Sequence, residues 1–166
     1  MENETRELQS ILEKQLGLHN DLIKIAENMN NAIKENDISK IHTLTSQFDE
    51  YVVQIEELEN IRLELCDKIA EVSKSESKHL NLQQIIQLLP KKSAGPFMQI
   101  KIELKKKMFV LNKINSSNQI LLNESLLLIK KEFEFMTQVQ NRLSGYGQNG
   151  KIETKTIRRS IVNHIA

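Results

Sequence analysis

The residues of this 166-residue chain with chemical potential are four histidines, one cysteine, several clustered charges and one glycine-rich segment. His19, His42, His79 and His164 lie far apart, and no HExxH and no cysteine pair accompanies them. A metal site would need three helices to converge without any sequence signal. GYGQNG, from Gly145 to Gly150, superficially resembles a phosphate loop. It follows a helical pattern instead of a strand, however, and no Lys-Ser or Lys-Thr opens a helix after it, so it reads as a helix terminator. Cys66 has no partner for an internal disulfide and reads as a small buried hydrophobe. Glu56, Glu57 and Glu59, and Lys105 to Lys107, fit solvated helix faces, and the basic stretch over residues 101–113 can also meet an acidic partner. No catalytic constellation results. The chain is expected to be neither an enzyme nor dependent on a cofactor or metal.

Composition agrees with a protein built to pack. Acidic and basic residues nearly cancel, leaving a formal net charge of +1, so no global field draws the chain to nucleic acid or an anionic membrane. Trp is absent and only five Gly and two Pro interrupt a sequence rich in aliphatic and helix-forming residues. The first ten residues are acidic and polar, unlike a signal peptide, and no stretch approaches the roughly 18 uninterrupted apolar residues of a membrane span. A soluble, cytoplasmic protein is expected.

The elements that position these residues follow from apolar spacing. Over residues 3–36, Leu8, Ile11, Leu18, Leu22, Ile25, Met29 and Ala32 alternate by three and four, with Gln15 filling one gap in the seam. Gly17 weakens this helix by about 1 kcal/mol relative to Ala. Asn36-Asp37 supplies a stop and a new N-cap. A second helix, over 38–74, carries Ile41, Leu44, Phe48, Tyr51, Ile55, Leu58, Leu65, Ile69 and Val72, broken only by Arg62. The link after Ser73 is polar, then offers a few helical turns in LNLQQIIQLL, and PKKSAGP makes the major break, ending at Pro96. A third long helix is expected over 97–144, closed by Gly145, Gly147 and Gly150. Beyond it, Ile157, Ile161 and Ile165 form one apolar stripe on a tail. The expected fold is all-α: an elongated antiparallel bundle of three long helices with coiled-coil character, a short helical segment in the 75–96 link and an amphipathic C-terminal tail. Its domains are a bundle over 1–145 and a glycine-rich turn with tail over 146–166.

Three polar residues fall on the seams. Arg62, Asn115 and Asn118 must be hydrogen-bonded if buried. Either they pair with one another across the bundle and fix its register, or the helices splay there and the groups meet water or a partner.

Taken in order, these elements resemble the FlgN family of flagellar export chaperones. The stretch IAENMNNAIKENDISKIHTLTSQFDEYVVQIEELENIRLEL, from Ile25, is similar to the family's first half, and Leu58, Glu59 and Arg62 match its Leu-Glu-x-x-Arg element. In the second half, Asn115 and Asn118 form an N-x-x-N ahead of Leu121, Leu122 and Leu126, and Tyr146, Gly147 and Gly150 form the closing Y-G-x-x-G. The polar link over 73–96 and the ending IRRSIVNHIA depart from the family pattern. The resemblance implies a cytoplasmic chaperone of the hook-associated proteins of the hook–filament junction. It would capture their C-terminal helical segment through its own C-terminal half before type III export, with Tyr146 a contact for the export gate.

Helix-in-groove recognition is compatible with the residues themselves. Leu121, Leu122, Ile129, Phe133 and Met136 are the candidate groove, and Ile157, Ile161 and Ile165 a flap or second contact. The chain itself is expected to be a monomer or homodimer. Two other readings exist: a structural or oligomerising coiled coil that buries the same seams by dimerising, without an export client, and a helical enzyme or DNA-binding protein, which lacks the residues for either task.

Overall fold

A computed structural model describes residues 2–73 and 80–143. Among them lie four helices: α1 (Glu2–Lys34), α2 (Ile38–Val72), α3 (Leu82–Leu88) and α4 (Lys91–Leu143). The chain divides into two compact units, Met1–Leu122 and Asn123–Ala166.

The turn between α1 and α2 is built by its two polar residues. Asn36 takes the left-handed conformation at φ 54, which Asn tolerates better than most residues. Its N–H bonds the Ile33 carbonyl at 3.1 Å, and the Asp37 N–H bonds that of Ala32 at 3.0 Å, closing the helix end as a Schellman motif. Asp37 then caps α2, its Oδ1 accepting from the Lys40 N–H at 3.0 Å.

α1 buries Leu8, Ile11, Gln15, Leu22, Ile25 and Ala32 of the expected seam, with Leu12, Ala26 and Ile33 beside it, whereas Leu18 and Met29 are half-buried. Leu8, Ile11 and Leu12 share a core cluster with Leu65, Cys66 and Ile69, and Ile25 and Ala32 share another with Leu44, so α1 and α2 run antiparallel. Along α2 the expected seam ends at Ile69; Val72 is 52% exposed.

After the polar link, Asn81 opens α3 with a capping box. The Gln84 N–H donates to its Oδ1 at 3.0 Å and its own N–H donates to Gln84 Oε1 at 2.9 Å. Seven residues cannot hold a helix alone, and burial of Ile85 and Ile86 in the first cluster stabilises this one. Leu89, ahead of Pro90, is extended with ψ 147, as the proline ring requires.

The break therefore sits at Leu89-Pro90, and α4 begins at Lys91 where the spacing predicted 97. Pro90 accepts from the Ser93 and Ala94 N–H groups at 2.8 and 3.0 Å and so starts the first turn. Pro96, expected to end the break, stands inside α4. Near a helix N-terminus it removes one hydrogen bond, and its neighbours Phe97, 1% exposed, and Ile100 hold the helix in the first cluster. Fully burying a side chain the size of Phe97 contributes about 1.5–3 kcal/mol. With Phe97 in one cluster with Leu8 and Leu12, and Asn118 reaching Ala26, this part of α4 follows the direction of α1.

Candidate partner-binding site

Of the polar seam residues, Asn118 bonds across to α1, but not to Arg62 or Asn115. Asn118 is 3% exposed. Its Nδ2 donates to the Ala26 carbonyl at 2.9 Å, and its Oδ1 accepts from Asn30 Nδ2 at 2.7 Å. Ala26, fully buried, has no side chain beyond Cβ to keep Asn118 from the backbone. Asn115, one turn earlier, is half-buried.

Arg62 does not join them. Its Nη2 and Nε donate to Glu59 Oε1 and Oε2 at 2.5 and 2.7 Å, and its Nη1 lies 3.6 Å from Cys66 Sγ. Gln15, the polar gap in the α1 seam, donates to Glu59 Oε2 at 3.2 Å. The Arg62 hydrogen bonds hold the Glu59 carboxyl below its ordinary value, with Gln15 adding to the effect and burial opposing it. Glu59 in turn raises Arg62. Burial pushes the Cys66 thiol up, away from the reactive thiolate. Glu59, expected on a solvated face, is thus the acceptor that satisfies a half-buried guanidinium; the signal was its three-residue spacing from Arg62 on one helix.

Leu121 and Leu122 close the first unit and are half-buried. In the second unit, α4 continues with its apolar side chains uncovered. Ile129, Phe133 and Met136 are 58%, 68% and 64% exposed, and Leu126 belongs to the same stripe at three- and four-residue spacing. Leu128, Phe135 and Val139 form a neighbouring stripe about 100° round the helix. Glu132 lies between the two stripes, and Lys130, Lys131 and Glu134 share the remaining arc with Leu127, 53% exposed. So wide an apolar face does not match a helix meant to stand in water. Removing one such half-exposed side chain from water contributes on the order of 1–2 kcal/mol before association costs.

The other sequence-predicted site residues, Tyr146, Gly147, Gly150, Ile157, Ile161 and Ile165, lie outside the described residues. Among those described, no three His, Cys, Asp or Glu side chains gather as a metal site, and no helix is long and apolar enough to cross a membrane.

Comparison with known proteins gives one family. The model described as FlgN protein matches residues 1–154. Neither a characterised protein nor a solved structure matches significantly.

Proposed function

The chain belongs to the FlgN family of flagellar export chaperones, and from that premise we propose that it binds the C-terminal helical segment of flagellar hook-associated proteins in the cytoplasm. Binding keeps that segment from aggregating and presents it to the type III export apparatus. The family is one of chaperones and not of enzymes, and the work proposed is capture.

The observation that carries this reading is the uncovered apolar face of α4. A client terminus that is itself an amphipathic helix has an apolar stripe to hide, and Leu126, Ile129, Phe133 and Met136 offer a matching one at helical spacing. Aliphatic and thioether side chains adapt to more than one client sequence, which suits a chaperone with related clients. Leu121, Leu122 and the tail isoleucines, Ile157, Ile161 and Ile165, are proposed to extend the contact, and Tyr146 to meet the export gate.

The test is calorimetry of the full chain against the C-terminal segments of hook-associated proteins. One segment is expected to bind, and Phe133→Glu with Met136→Glu to abolish binding without loss of helicity. Retained binding would refute the assignment of this face. The alternative, self-association, predicts a stable dimer by light scattering whose mass no hook-associated segment changes.

A further inference from the structure

We propose that a cleft within the first unit is a second protein-docking site, which takes one short amphipathic helix of a partner with aliphatic side chains inward and carboxylates along the flank that faces α4. The cleft has a volume of about 830 Å³. Its floor is α1 at Leu12, Gln15 and His19; its walls are α2 at Ile55 and Leu63 and α4 at Leu104 and Met108; the chain entering α3, at Leu80 to Gln83, bounds it further. None of these residues belongs to the face over 126–139, and the proposal does not rest on the hook-associated client.

Three observations select the occupant. The walls are aliphatic and thioether, with no aromatic ring, and Leu63 and Met108 stand 47% and 58% exposed. Two helices resting on a third leave a trough of helix width, and an apolar helical stripe fills such a trough as a fourth helix. The floor also holds a polar atom with capacity to spare. Gln15 is 5% exposed, and its amide nitrogen is used by Glu59. His19 Nδ1 lies 2.7 Å from the Gln15 carbonyl, which can only accept, so Nε2 remains for an occupant. A donor-bearing side chain, such as threonine, within the incoming apolar stripe can meet His19 Nε2.

Charge sets the orientation. Lys101 on the α4 wall lines the cleft, with its Nζ also donating to Gln83 Oε1; outside the lining, Lys105 is exposed one turn on along α4 and Glu56 is exposed on α2. Arg62 is already neutralised by Glu59. Carboxylates therefore fit the α4 side of the occupant and are disfavoured on the α2 side.

The probe is a synthetic helical peptide with leucines at i, i+4 and i+7, one threonine within that stripe, and glutamates along one flank; its control carries lysines in place of the glutamates. Fluorescence anisotropy with the full chain at low salt is expected to show one glutamate peptide bound per chain and the lysine peptide bound about tenfold more weakly. Leu63→Lys with Met108→Lys, at exposed positions that leave the far-ultraviolet dichroism unchanged, is expected to weaken the glutamate peptide by about tenfold or more, and Phe133→Glu with Met136→Glu to leave it bound. The proposal is overturned by equal binding of the two peptides, by no binding of either, or by loss of binding through Phe133 and Met136 instead. It is overturned equally if Leu63→Lys with Met108→Lys turns a dimer into a monomer, which assigns the cleft to a second copy.

Discussion

The side-chain amide of Asn118 on α4 donates to the backbone carbonyl of Ala26 on α1 at 2.9 Å. That carbonyl belongs to a helix, so Asn118 is a second donor to an oxygen with two lone pairs. Asn30 completes the arrangement by donating to Asn118 Oδ1. The pair fixes how far α4 slides along α1, as single buried asparagines do in coiled coils.

Asn118→Ala is expected to cost about 1–3 kcal/mol, because it leaves a gap and removes two hydrogen bonds. Asn118→Leu is expected to stay within about 1 kcal/mol of the parent, since Asn30 is half-buried and reaches water. Urea denaturation of both variants checks this; an equal loss in the two would mean that the lost hydrogen bonds, and not the gap, set the cost.

The Glu59–Arg62 pair makes stability depend on pH. Glu59 titrates below its ordinary value when folded, so its contribution is fully present above the unfolded value of about 4.3 and disappears as pH falls through the folded value. Glu59 is 44% exposed, and solvent screening keeps the contribution small, about 0.5–1 kcal/mol at neutral pH. Thermal melts should show Glu59→Gln less stable than the parent at pH 7, with the difference shrinking as the pH is lowered below 4.

Gly17 is a stabilising substitution in waiting. A Cβ built there meets nothing within 4 Å, and the residue lies in the middle of α1. Gly17→Ala is expected to raise stability by about 0.5–1 kcal/mol, through lower entropy of the unfolded chain. A lower melting temperature would show that the backbone there needs glycine.

Cys66 is 1% exposed and its thiol is raised by burial. A thiol-reactive dye is expected to label it orders of magnitude faster in denaturant than in buffer. Cys66→Ser, which buries a hydroxyl in the first cluster, should cost about 1–3 kcal/mol, and fast labelling of the native chain would contradict the burial.

Local chemistry was readable because it depends on neighbours in sequence. Asn36 and Asp37 stop one helix and start the next with groups they carry themselves, and the alternation from Leu8 to Ala32 names the face of α1 that is buried. The order of helical elements and short motifs likewise sufficed to suggest the family, which the match over residues 1–154 bears out.

Helical periodicity marks a face, however, and does not say what covers it. The same three- and four-residue spacing runs through Ile100 and through Phe133, yet one side chain is 8% exposed and the other 68%. Pro96 reads as a helix breaker until the burial of Phe97 beside it outweighs one missing hydrogen bond. Asn118 and Arg62 looked like candidates for each other, but a side chain takes the nearest acceptor that packing supplies, and these were Ala26 and Glu59. Sequence determined which residues need burial or a partner; tertiary structure decided which partner each received, because that choice depends on contacts between residues as far apart as Asn30 and Asn118.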